Sequence, residues 1–224
     1  MNDSALARTR RSLHAVAEQV LAAALHRATG RIGLRSAPGG FATPVFDGPH
    51  GVTRIRVEGV DLVVEHGAES TRAPLTTVGA AAAQVGVEPG APADVYPPAT
   101  ELDPDRPLDL EPAAAARLAE LFATVDRALQ VLVERHAPDG DGPQLWPEHF
   151  DLAVTIDEVN YGGSPGDDEH PLPYLYVGPW DVPNDGDPFW NEPFGASLAA
   201  GDDVTLDQAL AFFEDGRRRV ADQG

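Results

Sequence analysis

The sequence predicts an α+β fold, an antiparallel sheet with helices packed against it. Two observations predict it. Stretches with helical apolar spacing bracket groups of stretches with period-two alternation, rather than alternating with them one by one. The strand-like stretches are joined by short glycine-bearing turns, as in hairpins. The order reads helix, strands, helix, then helix, strands, helix. Two pseudo-repeated halves are therefore a variant of the same class, although no residue-level repeat links them.

The first helix is expected from a cap at Asp3 or Ser4 to about Leu25. Leu6, Leu13, Val16, Ala17, Val20, Leu21 and Ala24 form its apolar stripe, and Thr29-Gly30 ends it. Arg31 to Arg35 alternates as a half-buried strand, Pro38-Gly39-Gly40 is a turn, and Phe41 to Phe46 is a second strand candidate. Val52–Glu58 and Val60–Glu65 read as a hairpin around Gly59. A short helix opens at Thr76 or Thr77 and closes on Gly86. Further on, Asp109 is the candidate cap of a helix striped by Leu118, Leu121, Phe122, Val125, Leu129, Leu132 and Val133, with Pro138 as the stop. Phe150–Ile156, Tyr174–Val177 and Asn191–Leu198 are strand candidates. Thr205-Leu206-Asp207-Gln208 is a capping box that opens the last helix.

Alternation also assigns faces. Ile32, Leu34, Ile55, Val57, Leu152, Val154 and Ile156 are expected inside, with Arg31, Arg35, Arg54 and Arg56 off the core. Residues 87–110 hold six prolines and are either a linker or an extended wrapping segment. Each half has too few strands to cover its own helices, so residues 1–224 are expected to form a single domain.

Composition excludes several function classes. The chain has 224 residues, no cysteine and a net charge of −20, with 42% hydrophobic residues. Thiolate nucleophiles, disulfides and thiolate metal sites are excluded, and the hydrophobic fraction is that of a globular chain. No apolar run reaches the ~18 residues of a membrane span. The charge opposes nucleic acid and anionic membranes as partners. A cytoplasmic protein is expected. The charge is also asymmetric: residues 1–60 hold eight Arg against four acids, and no Lys or Arg lies between Arg135 and Arg217.

Leu13-His14, Gly30-Arg31-Ile32-Gly33-Leu34, Phe150-Asp151-Leu152-Ala153-Val154-Thr155, His170, Gly178-Pro179-Trp180 and a C-terminal helix occur in an order that resembles a bacterial protein family of unknown function. The resemblance runs from about residue 12 to 220 and departs at Pro38 to Phe46. It implies a single domain and brings no activity with it.

Gly162-Gly163-Ser164-Pro165-Gly166 matches the G-x-S-x-G pattern of serine hydrolases. Pro165 lacks the N–H that an oxyanion hole takes from the residue after the nucleophile, so the segment is read as a tight surface turn. His149 and Asp151 are expected on one face of a strand, with His170 beyond the glycine-rich segment. Two imidazoles and a carboxylate in this pattern make His149, Asp151 and His170 the alternative metal set of a metal-assisted enzyme. The other reading of the pair is a His–Asp hydrogen bond at a strand edge. Trp146, Tyr161, Trp180 and Trp190 supply rings to the same acidic region, which suits a small cationic or polyhydroxylated ligand. The rings serve equally as core and loop cover. His14 reads as a packed, hydrogen-bonded histidine. Three functions remain: a non-catalytic protein that binds a small ligand or partner, without cofactor, through Trp146, His149, Asp151, Tyr161, His170, Trp180 and Trp190; the metal-assisted enzyme; and a structural subunit of a homo-oligomer.

Overall fold

The computed structural model describes residues 3–49, 51–183, 186–201 and 204–222. The fold is α+β, built on antiparallel sheets. The chain forms two compact units, Met1–Glu120 with Leu145–Phe150, and Leu121–Gln144 with Asp151–Gly224.

The first unit opens with α1 (Asp3–Val16), a π turn (Ala17–Ala22) and α2 (Ala23–Thr29) in succession. All six π-turn residues are buried, Glu18 and Gln19 among them. Gly30, at φ 73°, closes α2 with its N–H on the His26 carbonyl. The side chains of Asp3 and Ser4, the expected caps, lie outside the described residues.

Its sheet contains β1 (Arg35–Ala37), β2 (Gly40–Ala42), β3 (Phe46–Gly48), β4 (Gly51–Glu58), β5 (Asp61–His66) and β6 (Glu69–Pro74). The order is β1-β2-β4-β5-β6, with β3 also on β4. Ile55 and Val57 face Val64 and Leu62 across β4 and β5, and all four are buried. Arg56 turns the other way, 3.0 Å from Glu65 and 3.1 Å from Glu58. Arg31, Arg35 and Arg54 are likewise off the core.

The strand expected at Arg31 to Arg35 begins only at Arg35, and Ile32 is half-buried rather than in the core. The Pro38-Gly39 turn, with Gly39 at φ 78°, sets a register in which β2 reaches only Arg35. Leu34 instead exchanges two backbone hydrogen bonds with Leu145, of 2.9 and 3.0 Å. The strand β6 is absent from the sequence reading because Glu-Ser-Thr-Arg carries no apolar alternation; pairing along β5 makes it a strand.

Helix α3 (Val78–Val85) is capped by Thr77 and closed by Gly86 at φ 79°, as the sequence predicts. The proline-rich segment wraps the first unit. Gly90 N–H donates to the Gln19 carbonyl, Ala99 and Thr100 N–H to Glu18, Leu108 N–H to the Thr76 carbonyl and Asp109 N–H to Ser12 Oγ. Glu111, not Asp109, caps α4 (Pro112–His136), accepting from Ala113 and Ala114 N–H. The Asp109 carboxylate is instead engaged by Arg8 at 2.7 Å. The expected apolar stripe of α4 is buried throughout. The short strand β7 (Gln144–Trp146) carries Leu145.

The second unit is a meander of β8 (Asp151–Ile156), β9 (Val159–Ser164), β10 (Tyr174–Pro179) and β11 (Ala196–Ala199). Strand β11 is shorter than the expected Asn191–Leu198 stretch. The turn joining β8 to β9 is Asp157-Glu158, at φ 50° and 62°, which fits a type I′ hairpin. Gly162, Gly163 and Ser164 of the G-x-S-x-G match lie inside β9, Pro165 and Gly166 follow it, and all five are buried, so this segment is not a surface turn. A Cβ on Gly163 would stand 2.5 Å from Val125 Cγ2, so the glycine lets α4 approach the sheet. Helix α5 (Leu206–Ala221) starts at the predicted capping box and sets Gly216 against Val177, with Phe213 edge-on to Tyr161. No helix among the described residues is long and apolar enough to cross a membrane.

Candidate functional site

Alternation along β10 sends Leu175 and Val177 into the core of the second unit and Tyr174 and Tyr176 to the opposite face. Register places Ser164 beside Tyr174 and Gly162 beside Tyr176, with Ala153 beyond Gly162. That face is floored by small residues. A Cβ on Gly162 would lie 2.5 Å from both Cζ and the hydroxyl oxygen of Tyr176, so only glycine lets this ring cross β9. At the far side the Tyr176 hydroxyl donates to Asp151 Oδ2. Burial, then the Asp151 charge, pushes the Tyr176 phenol well above its ordinary range, so it remains a donor.

The loop after β9 is folded by Asp167. Its Oδ1 accepts the N–H groups of Glu169 and His170 at 2.7 and 2.6 Å, and its Oδ2 accepts the Tyr174 hydroxyl at 2.9 Å. Burial pushes the Asp167 carboxyl up, but these donors outweigh it and hold the pKa below the usual carboxylate value. This turn fixes His170 beside Tyr174, with ring centroids 5.0 Å apart and Phe194 at 6.3 Å. His170 Nε2 lies 3.1 Å from Glu192 Oε1, which also accepts the Ser197 hydroxyl at 2.8 Å. Phe194 stands edge-on to Tyr176 at 6.4 Å and is 38% exposed. The result is an open rim of His170, Tyr174 and Phe194 above the Tyr176–Asp151 pair. The carboxylates of Asp151, Asp167 and Glu192 each touch one of these rings or its hydroxyl. Chemically, such a face offers ring surfaces and negative charge to a cation.

The structure distributes the residues expected from sequence. Asp151 and His170 are both on this face. Tyr161 is not: it is fully buried on the other side of β9, against Phe213. Trp180, at the end of β10, is 69% exposed, and Trp190 packs on Phe189 with centroids 4.9 Å apart. Trp146 and His149 belong to the first unit. The pairing of His149 with Asp151 on one strand face fails locally, because Phe150 sits at φ 55° and the extended strand begins only at Asp151. Among the described residues no three His, Asp or Glu side chains are placed to hold a metal ion. His14 is packed as expected, its ring stacked on Phe150 and its Nε2 2.8 Å from the Pro147 carbonyl.

Tyr174, Tyr176, Asp167, Glu192 and Phe194 are the residues that the sequence reading missed. The Tyr-x-Tyr spacing at 174 and 176 carried the signal, since residues two apart on a strand share a face. Comparison of the chain with family models, with curated proteins and with solved structures gives no match.

Proposed function

We propose that the protein is a non-catalytic binding protein, acting in the cytoplasm, and that its second unit takes a small organic cation on the face of His170, Tyr174, Tyr176 and Phe194. One observation carries this reading: carboxylates are hydrogen-bonded to the hydroxyls of Tyr174 and Tyr176 on one sheet face and to the His170 ring in the loop beside them. Ring faces and carboxylates attract the same kind of guest, a weakly hydrated cation such as a quaternary or alkylated ammonium. The absence of Lys and Arg between Arg135 and Arg217 leaves no cation in this stretch of chain to compete for the place. The net charge of −20 turns away phosphate-bearing partners, nucleic acid included. Isothermal titration with an alkylammonium, a polyol and inorganic phosphate tests the reading. Heat of binding with the alkylammonium alone is expected; binding of phosphate in preference to it would overturn the proposal.

A further inference from the structure

His170 stands on the rim of the cation face and can itself become a cation. Each of its ring nitrogens has a carboxylate oxygen nearby: Nε2 lies 3.1 Å from Glu192 Oε1, and Nδ1 lies 3.8 Å from Asp167 Oδ1. A neutral imidazole carries one N–H, so one nitrogen then turns a lone pair toward a carboxylate. Protonation gives both nitrogens an N–H and suits both neighbours. The rings of Tyr174 and Phe194 flank it at centroid distances of 5.0 and 6.3 Å. Rings and carboxylates that attract an organic cation are thus already gathered around this imidazole.

The charges that surround it can be named element by element. From its own loop come Asp167, with Asp168 and Glu169 adjoining in sequence; from β10, Tyr174; from the segment before β11, Glu192. Asp151 of β8 acts through Tyr176. Asp167 is already engaged by the Tyr174 hydroxyl and two N–H groups, and Asp151 by the Tyr176 hydroxyl. Glu192 is the carboxylate that the imidazole holds through its ring, together with the Ser197 hydroxyl. Burial raises both phenols, so Tyr174 and Tyr176 stay protonated near neutrality. The arginines of α5 are paired elsewhere, Arg217 with Asp157, Arg218 with Asp215, and Arg219 with Asp187 and Asp215. The other histidine of this unit, His136 on α4, is bonded to Glu214 of α5.

We propose that His170 is an internal competitor for the cation face: its protonated ring takes Glu192 and the flanking aromatic rings for itself, so that binding an organic cation releases one proton. This regulation rests on the reading of the face as a cation site. The exchange balances in charge, because one cation enters as the imidazolium gives one N–H proton to solvent and stays as a neutral wall. Like charges a few ångströms apart repel, so the guest and the imidazolium exclude each other. Affinity therefore falls as the pH drops, by at most tenfold per pH unit once the imidazole is mostly protonated. By linkage, the guest makes His170 harder to protonate.

The test titrates the full-length protein with tetramethylammonium chloride at constant ionic strength, between about pH 5.5 and 8.5, where histidine charge ordinarily changes. Calorimetry in two buffers of different ionisation heat counts the protons released, and the His170 Cε1–H resonance reports its protonation. Release is expected to approach one proton per cation at the acid end and none at the alkaline end. Affinity should drop about tenfold or more across the range, and saturating guest should move the His170 titration to lower pH. His170→Gln keeps a donor for Glu192, and the Asp167 turn survives because it holds the His170 backbone N–H. His170→Phe keeps a ring. Both variants should bind with nearly constant affinity over the same range and release no proton. Binding by the parent chain that is independent of pH would overturn the competition and leave the face a cation site. A pH dependence that persists in both variants would overturn it as well. Absence of binding at every pH, in parent and variants alike, would overturn the cation face and the competition together.

Discussion

Tyr176 reaches Asp151 by crossing over Gly162, and its phenol donates to the carboxylate on the far side of β9. The glycine that looks like part of a hydrolase signature is thus a gap cut for a ring. Ser164, the would-be nucleophile, is 4% exposed and its Oγ accepts the Gly166 N–H at 3.1 Å. Its place is within a strand, not on a strand-to-helix elbow.

Filling that gap should be costly. A Cβ at Gly162 would also stand 2.8 Å from the Leu152 carbonyl oxygen, which is backbone and cannot swing aside. Gly162→Ala is expected to destabilise the chain by about 1–3 kcal/mol and to release the Tyr176–Asp151 bond. Urea unfolding measures the first, and the Tyr176 ring resonances report the second.

Glu18 is the latch of the proline-rich wrap. Glu18→Ala strands the N–H groups of Ala99 and Thr100 and the Thr100 hydroxyl. A loss of about 3–5 kcal/mol is expected, with amide hydrogen exchange accelerated at Ala99 and Thr100 before the sheet strands open. Exchange that rises equally everywhere would contradict the latch.

Histidine burial sets a pH dependence near neutrality. Desolvation lowers the pKa of His14 from 6.5, although its hydrogen bond to the Pro147 carbonyl pulls the other way. The unfolded chain therefore takes up the proton first. Stability is full above pH 6.5 and falls as the pH drops below that value toward the depressed folded pKa. Urea midpoints compared at about pH 7.5 and 5.5 should differ less in His14→Gln than in the parent chain.

A cut in the proline-rich segment should leave an unstable piece. Residues 1–90 lack the Ala99 and Thr100 donors of Glu18 and the Leu145 partner of Leu34. No cooperative thermal transition is expected from this fragment, whereas a sharp one would show that the wrap is dispensable.

Much of the fold was legible because local chemistry and tertiary structure agree at those points. Thr77 with Gly86, the Thr205–Gln208 box, the α4 stripe and the β4–β5 hairpin each satisfy propensity, capping and burial together. The strands missed are those whose sequence has no alternation of its own. Strand β6 is polar on both faces and forms by pairing, while β9 is rich in glycine because its neighbours, Val125 and Tyr176, take the space of its side chains. Asp157-Glu158 hid the true turn, since neither residue is a usual choice at positive φ. In the candidate site, Asp151 and His170 could be read from chemistry and period. The backbone reversal at Phe150, which removes His149 from the strand, has no sequence signature.

The most direct measurement is a titration of the full-length protein with tetramethylammonium chloride, followed by aromatic proton–carbon NMR. Saturable shifts are predicted at Tyr174, Tyr176, Phe194 and His170, absent with sodium chloride at equal ionic strength. Tyr174→Leu should weaken the response about threefold to tenfold, the worth of one cation–ring contact. Rings that do not move, or that move as much with sodium, would contradict a cation-binding face.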